Sequence, residues 1–93
     1  MTQALPYTIV NVDDNDVARY AKRQILERAG YRVMEASTAA DGLRLVSKIN
    51  PQLVLLGVKL PDMSGLDVCR IIKTEPSTCD VLVLQISASP ITP

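Results

Sequence analysis

Ninety-three residues carrying ten basic and ten acidic side chains make a chain of zero formal charge, which offers no general field to draw in nucleic acid or an anionic membrane, so neither is expected as a partner. That length allows one small domain over residues 1–93, burying about 60–65% of its unfolded surface, and leaves no room for a second. Histidine is absent, which removes the commonest general base and zinc ligand and excludes a hydrolase triad; with neither a signal-peptide pattern at the start nor an apolar run approaching about 18 residues, a soluble cytoplasmic chain is expected.

The β-branched run Thr8 to Val12 predicts a first strand, ending at the acidic pair Asp13-Asp14. Asn15 or Asp16 can cap a helix over about residues 16–29, with Val17, Tyr20, Ala21, Ile25 and Ala29 as its apolar side and Gly30 as a left-handed stop. Tyr31 to Ala36 reads as a second strand, and Arg32 and Glu35 within it suggest a sheet edge. Ser37 or Thr38 caps a second helix carrying Leu43, Val46 and Ile49, with Asp41 three residues after Thr38 and Pro51 marking the exit.

Leu53 to Val58 is apolar apart from Gly57 and lacks polar alternation, the pattern of a third strand buried on both faces in mid-sheet. Turn signals follow from Lys59 to Gly65. A third helix then carries Leu66, Cys69, Ile71 and Ile72 and ends near Pro76, and Val81 to Ile86 forms a fourth strand. Cys69 and Cys79 adjoin apolar segments and read as reduced fillers. Met34 and Met63 read as packing residues. The order βαβαβαβ with short connections demands parallel strands and right-handed crossovers, hence a three-layer α/β sheet whose ligands bind at the carboxyl ends of the strands, near Gly57. Gly57 is an odd residue for that place. It brings no functional group, and in a strand it costs about 0.5–1 kcal/mol against alanine.

The segments VNVDDND (10–16), ILERAGYRVMEAST (25–38), PQLVLLGVKLPDMSGLDVCRIIKTEP (51–76) and VLVLQISAS (81–89) resemble the receiver domain of two-component response regulators, above all those attached to hybrid sensor kinases. The resemblance implies a flavodoxin-like, chemotaxis-regulator-like parallel sheet of strand order 2-1-3-4. It also implies a cytoplasmic signalling role alongside histidine kinases or other phosphorelay proteins, with no enzymatic activity of its own. Receivers accept a phosphoryl group on an aspartate at the end of the third strand, beside magnesium held by oxygen ligands. By the resemblance, Asp13 and Asp14 match the acidic metal-binding pair and Lys59 matches the residue that lends its backbone carbonyl. Ser87 matches the hydroxyl that responds to the phosphoryl group, and Pro61 and Gly65 match the loop at the rim. Each has a plainer reading too: Asp13-Asp14 as a helix cap, Lys59 as a solvated charge and Ser87 as a polar strand end.

The chain departs from the pattern twice. The acceptor position carries Gly57, which cannot be phosphorylated or ligate a cation through a side chain, so magnesium is expected to bind weakly or not at all. The sequence also stops after the fourth strand, so the 93 residues make an incomplete receiver without the family's fourth helix, fifth strand and fifth helix. The resulting expectation is a receiver that acts by protein contact instead of phosphotransfer. A metal-dependent phosphoryl-transfer enzyme on a similar sheet and a self-associating incomplete module are the alternatives. In the order 2-1-3-4 the first helix stands alone on one face and is too narrow to cover the third and fourth strands, so a homodimer through those strands is expected.

Overall fold

The computed structural model describes residues 7–57 and 60–86. Seven elements alternate along the chain: β1 (Thr8–Val12), α1 (Asp16–Arg28), β2 (Arg32–Ala36), α2 (Ala39–Ile49), β3 (Leu53–Gly57), α3 (Gly65–Thr74) and β4 (Leu82–Ile86). All three strand pairings are parallel, in the order β2-β1-β3-β4. β3 is therefore interior and β2 lies at an edge, as its interrupting charges suggest. The predicted ends of the elements hold to within a residue or two, and Val58, Lys59, Ser87 and the residues after it lie outside the described residues.

Local chemistry starts and stops these helices. Asn15, Thr38 and Ser64 each accept the amide of the residue three places on, Ala18, Asp41 and Asp67, satisfying one of the amides that every helix start leaves open. Such a cap contributes about 1 kcal/mol. Past α1 the chain turns at Gly30 with φ 99°, and past α2 at Asn50 with φ 55°, both in the left-handed region. The sequence points to the first of these stops but assigns the second to Pro51.

The two faces of the sheet differ in kind. Val10, Val12, Val54 and Leu56 pack with Ala39 and Val46 of α2 and Val68 and Ile72 of α3 in one apolar core. α1 lies on the other face, over β1 and β2. Its expected apolar side is a correction: Val17 is 80% and Ile25 68% exposed, Tyr20, Ala21 and Ala29 are exposed as well, and no residue of α1 is fully buried. Ala18, Arg19, Lys22, Arg23, Gln24 and Leu26 are the more buried residues of the helix. The physical reason is the surface below them, where the Asp13 and Glu35 carboxylates face the helix and select its basic residues, while Asn11 donates its amide to the Arg19 carbonyl.

Candidate functional site

β1 and β3 are neighbours, so Asp13, the residue after β1, stands beside Gly57, the last residue of β3. Asp13 is 9% exposed. Its amide continues the ladder to the carbonyl of Ala36 at 3.0 Å. Both carboxylate oxygens are engaged: Oδ1 accepts the Asn15 amide at 2.9 Å and Oδ2 accepts Lys22 Nζ at 2.8 Å. The Asp13 carbonyl accepts Arg19 Nη1 at 2.8 Å. Burial pushes the Asp13 carboxyl up, but the Lys22 hydrogen bond, the Asn15 amide and the charges of Lys22 and Arg19 outweigh it and hold the group below the ordinary carboxylate value. The first helix is capped by Asn15, and Asp13 orders the turn before it.

Gly57 is buried, yet the space around it is open enough for a side chain. A β-carbon there would meet Val12 O at 3.5 Å and Asp13 Oδ1 at 3.7 Å, both ordinary contacts. An oxygen-bearing side chain at 57 would therefore join Asp13. Asp14 is exposed. Gly65 is buried at the start of α3 and Pro61 is exposed in the loop before it. Lys59 and Ser87 lie outside the described residues, so the structure brings together Asp13 and Gly57 of the expected set and is silent on those two.

The side chains present do not make a complete magnesium site. Gly57 offers no ligand, the Asp13 carboxylate is already paired with an ammonium and an amide, and among the described residues no group of three ligating side chains gathers anywhere. A hard divalent cation takes six or more oxygens, several of them charged. Asp14 is the one member of the acidic pair whose carboxylate is exposed.

Asp62 has a structural part that its sequence position does not suggest. Its Oδ1 and Oδ2 accept the amides of Ala39 at 2.8 Å and Ala40 at 3.0 Å, the first two residues of α2. Those backbone hydrogen bonds, Ala39 first, hold the Asp62 carboxyl below the ordinary value. The loop after β3 is thereby tied to the N-terminus of α2, where the Thr38 hydroxyl accepts the Asp41 amide alone. Asp62→Ala is expected to lower the melting temperature and to speed hydrogen exchange at Ala39 and Ala40. Unchanged exchange at both amides would contradict this role. The signal lay in α2 having more open amides than Thr38 can satisfy, but the partner is more than twenty residues away and no spacing rule finds it.

The geometry has counterparts among known proteins. Residues 9–91 match the profile described as the response regulator receiver domain. The transcriptional regulatory protein AfsQ1 of Streptomyces coelicolor is 38% identical over 66 residues, which is 71% of this chain and 29% of that protein. The polar-differentiation response regulator DivK of Brucella anthropi is 26% identical over 84 residues, 90% of this chain and 68% of that protein. Among solved structures, the N-terminal domain of a response regulator receiver protein from Methanoculleus marisnigri JR1 superposes with a TM-score of 0.85 at 38% identity, covering 94% of this chain and 71% of that one. The chain thus spans less than a third of the first relative and about two thirds of the second.

Proposed function

The chain belongs to the response regulator receiver domain family of two-component signalling, and from that membership we propose a receiver that works by protein contact and takes no phosphoryl group. One observation carries this reading: the carboxyl end of β3, beside the buried Asp13, holds Gly57. A phosphoryl acceptor there must be an oxygen nucleophile, and glycine has none. Asp13 and Asp14 remain as the acidic pair, Lys59 as the source of a backbone carbonyl and Ser87 as the switch hydroxyl. With one charged oxygen fewer, any magnesium is held weakly. Its partners are a histidine kinase or other phosphorelay protein.

The test is to incubate the protein with a small-molecule phosphodonor and magnesium, follow acyl phosphate by intact mass, and assay a generic phosphate ester in parallel. Neither signal is expected. Acyl phosphate on the chain would overturn the reading, and turnover of the ester would favour a metal-dependent phosphoryl-transfer enzyme.

We further propose that residues 1–93, taken by themselves, associate with a second copy through β3 and β4. Leu82 and Leu84 are 66% and 52% exposed and share the face of Leu53 and Leu55, with which they pair, while α1 packs mainly on β1 and β2. Among the described residues β4 has no partner beyond β3, and an open edge beside bare apolar surface favours pairing with another chain. Light scattering at tens of micromolar is expected to show a dimer or larger species, weakened by Leu82→Lys. A monodisperse monomer would refute the proposal.

A further inference from the structure

The layer between α1 and the sheet is polar where such layers are ordinarily apolar. Asn11 is fully buried, donates from Nδ2 to the Arg19 carbonyl at 3.1 Å and leaves Oδ1 without a partner. Arg19 and Arg23 pair with Glu35 at 3.4 Å and 3.1 Å. Lys22 reaches Asp13 at 2.8 Å, with the two side chains only 19% and 13% exposed. Among the described residues Lys22 is the one ammonium that touches the carboxylate at the carboxyl end of β1. Chain geometry makes this contact natural, because Lys22 follows Ala18 by one helical turn and so shares its sheet-facing side.

A nearly buried carboxylate must be matched by a positive charge or give up its own. Where a third carboxylate stands at the end of β3, a doubly charged ion suits the cluster. Here that carboxylate is absent, and a single positive charge is the better match for Asp13. We propose that the ammonium group of Lys22 is the resident cation of the Asp13 cradle, taking the place of a divalent ion and making the fold around β1 and α1 independent of metal. The inference rests on the receiver reading only for the expectation that a cation belongs at this cradle. A divalent ion approaching Oδ2 must displace Lys22 or sit beside a like charge, and either lowers its affinity. Asn15 engages Oδ1 with its backbone amide, which lowers that oxygen's remaining capacity for a cation without removing it.

The test compares the protein with Lys22→Met, which keeps the length of the side chain and removes the charge, and with Lys22→Arg, which keeps the charge. Manganese affinity is read by paramagnetic broadening of the Asp13 and Asp14 amides, and melting temperature is followed with and without millimolar magnesium. The parent and Lys22→Arg are expected to melt at the same temperature with or without magnesium. Lys22→Met is expected to melt lower, to recover part of that loss with magnesium, and to bind manganese about tenfold or more tightly than the parent. Equal manganese affinity in the parent and Lys22→Met overturns the proposal. If Lys22→Met does not fold, the parent carries the test: its Lys22 ammonium resonance should be protected from solvent exchange and unmoved by millimolar magnesium, and release of that group by magnesium overturns the proposal. These readouts do not depend on phosphoryl transfer, so acyl phosphate on the parent would defeat the contact-only reading and leave this one standing or falling on its own result.

Discussion

Gly57→Asp is expected to melt lower than the parent when no divalent cation is present, by roughly 5–15 °C for a domain of this size, and to lose that deficit or reverse it in millimolar magnesium. Among the described residues a β-carbon at 57 meets nothing closer than 3.5 Å, so steric strain is not the expected cause. Charge decides the sign. The new carboxylate stands against Asp13 Oδ1 in a site shielded from water, and forcing one of the two groups to shift by one or two pKa units corresponds to about 1–3 kcal/mol. Removing glycine from the strand end returns about 0.5–1 kcal/mol, and Lys22 on Oδ2 softens the repulsion. The net loss is about 1–2 kcal/mol. Magnesium reverses it by supplying the charge that three carboxylates share, and binding to the folded state alone raises stability by mass action. Gly57→Asn serves as the neutral control and should melt close to the parent at every magnesium concentration. A Gly57→Asp variant whose deficit ignores magnesium, or which melts higher without it, would remove the assignment of this position as part of the acidic cradle.

Gly42→Ala, an exchange that helix propensity alone scores as a gain of about 1 kcal/mol, is expected to destabilise the protein by about 1–2 kcal/mol. A β-carbon at 42 would lie 2.7 Å from Val12 Cγ2 and 3.2 Å from Val12 Cγ1. Val12 is fully buried and, being β-branched, has little rotamer freedom with which to withdraw. Overpacking of this kind costs about 1–3 kcal/mol, more than the propensity returns. Val12 also immediately precedes Asp13, so the displacement should reach the Asp13 and Gly57 amide resonances. Urea denaturation of Gly42→Ala, Val12→Ala and the double variant checks the cause. The double variant should be more stable than the sum of the single losses predicts, because the smaller residue at 12 makes room for the new methyl. Additive losses would show that Val12 is not the cause, and a stabilised Gly42→Ala would show that α2 can lift from the sheet at no cost.

Much of the architecture follows from local rules that operate within a turn or two. The uninterrupted apolar run ending at Gly57 marks an interior parallel strand, and the caps at Asn15, Thr38 and Ser64 open helices near where their periodicity begins. These features point to the parallel sheet, and together with the acidic pair after the first strand and the loop after the third they carry the resemblance to the receiver family, which supplies the strand order. That Gly57 carries no nucleophile is likewise legible in the sequence, since it is a statement about one residue's chemistry.

Contacts between residues far apart in the chain were decided only by the tertiary structure. Gly42 looks like a flaw in a helix until Val12 is found against it. Asp62 looks like a turn residue until the amides of Ala39 and Ala40 are found on its carboxylate. α1 reads by periodicity as a helix with Val17, Tyr20 and Ile25 inward, yet its buried side holds Arg19 and Lys22. Periodicity reports which residues share a face; it does not report the chemistry of the surface that face meets. On this side of the sheet that surface is Asn11, Asp13 and Glu35, and the desolvation of the two carboxylates, which Lys22, Arg19 and Arg23 relieve, outweighs the burial of three apolar side chains.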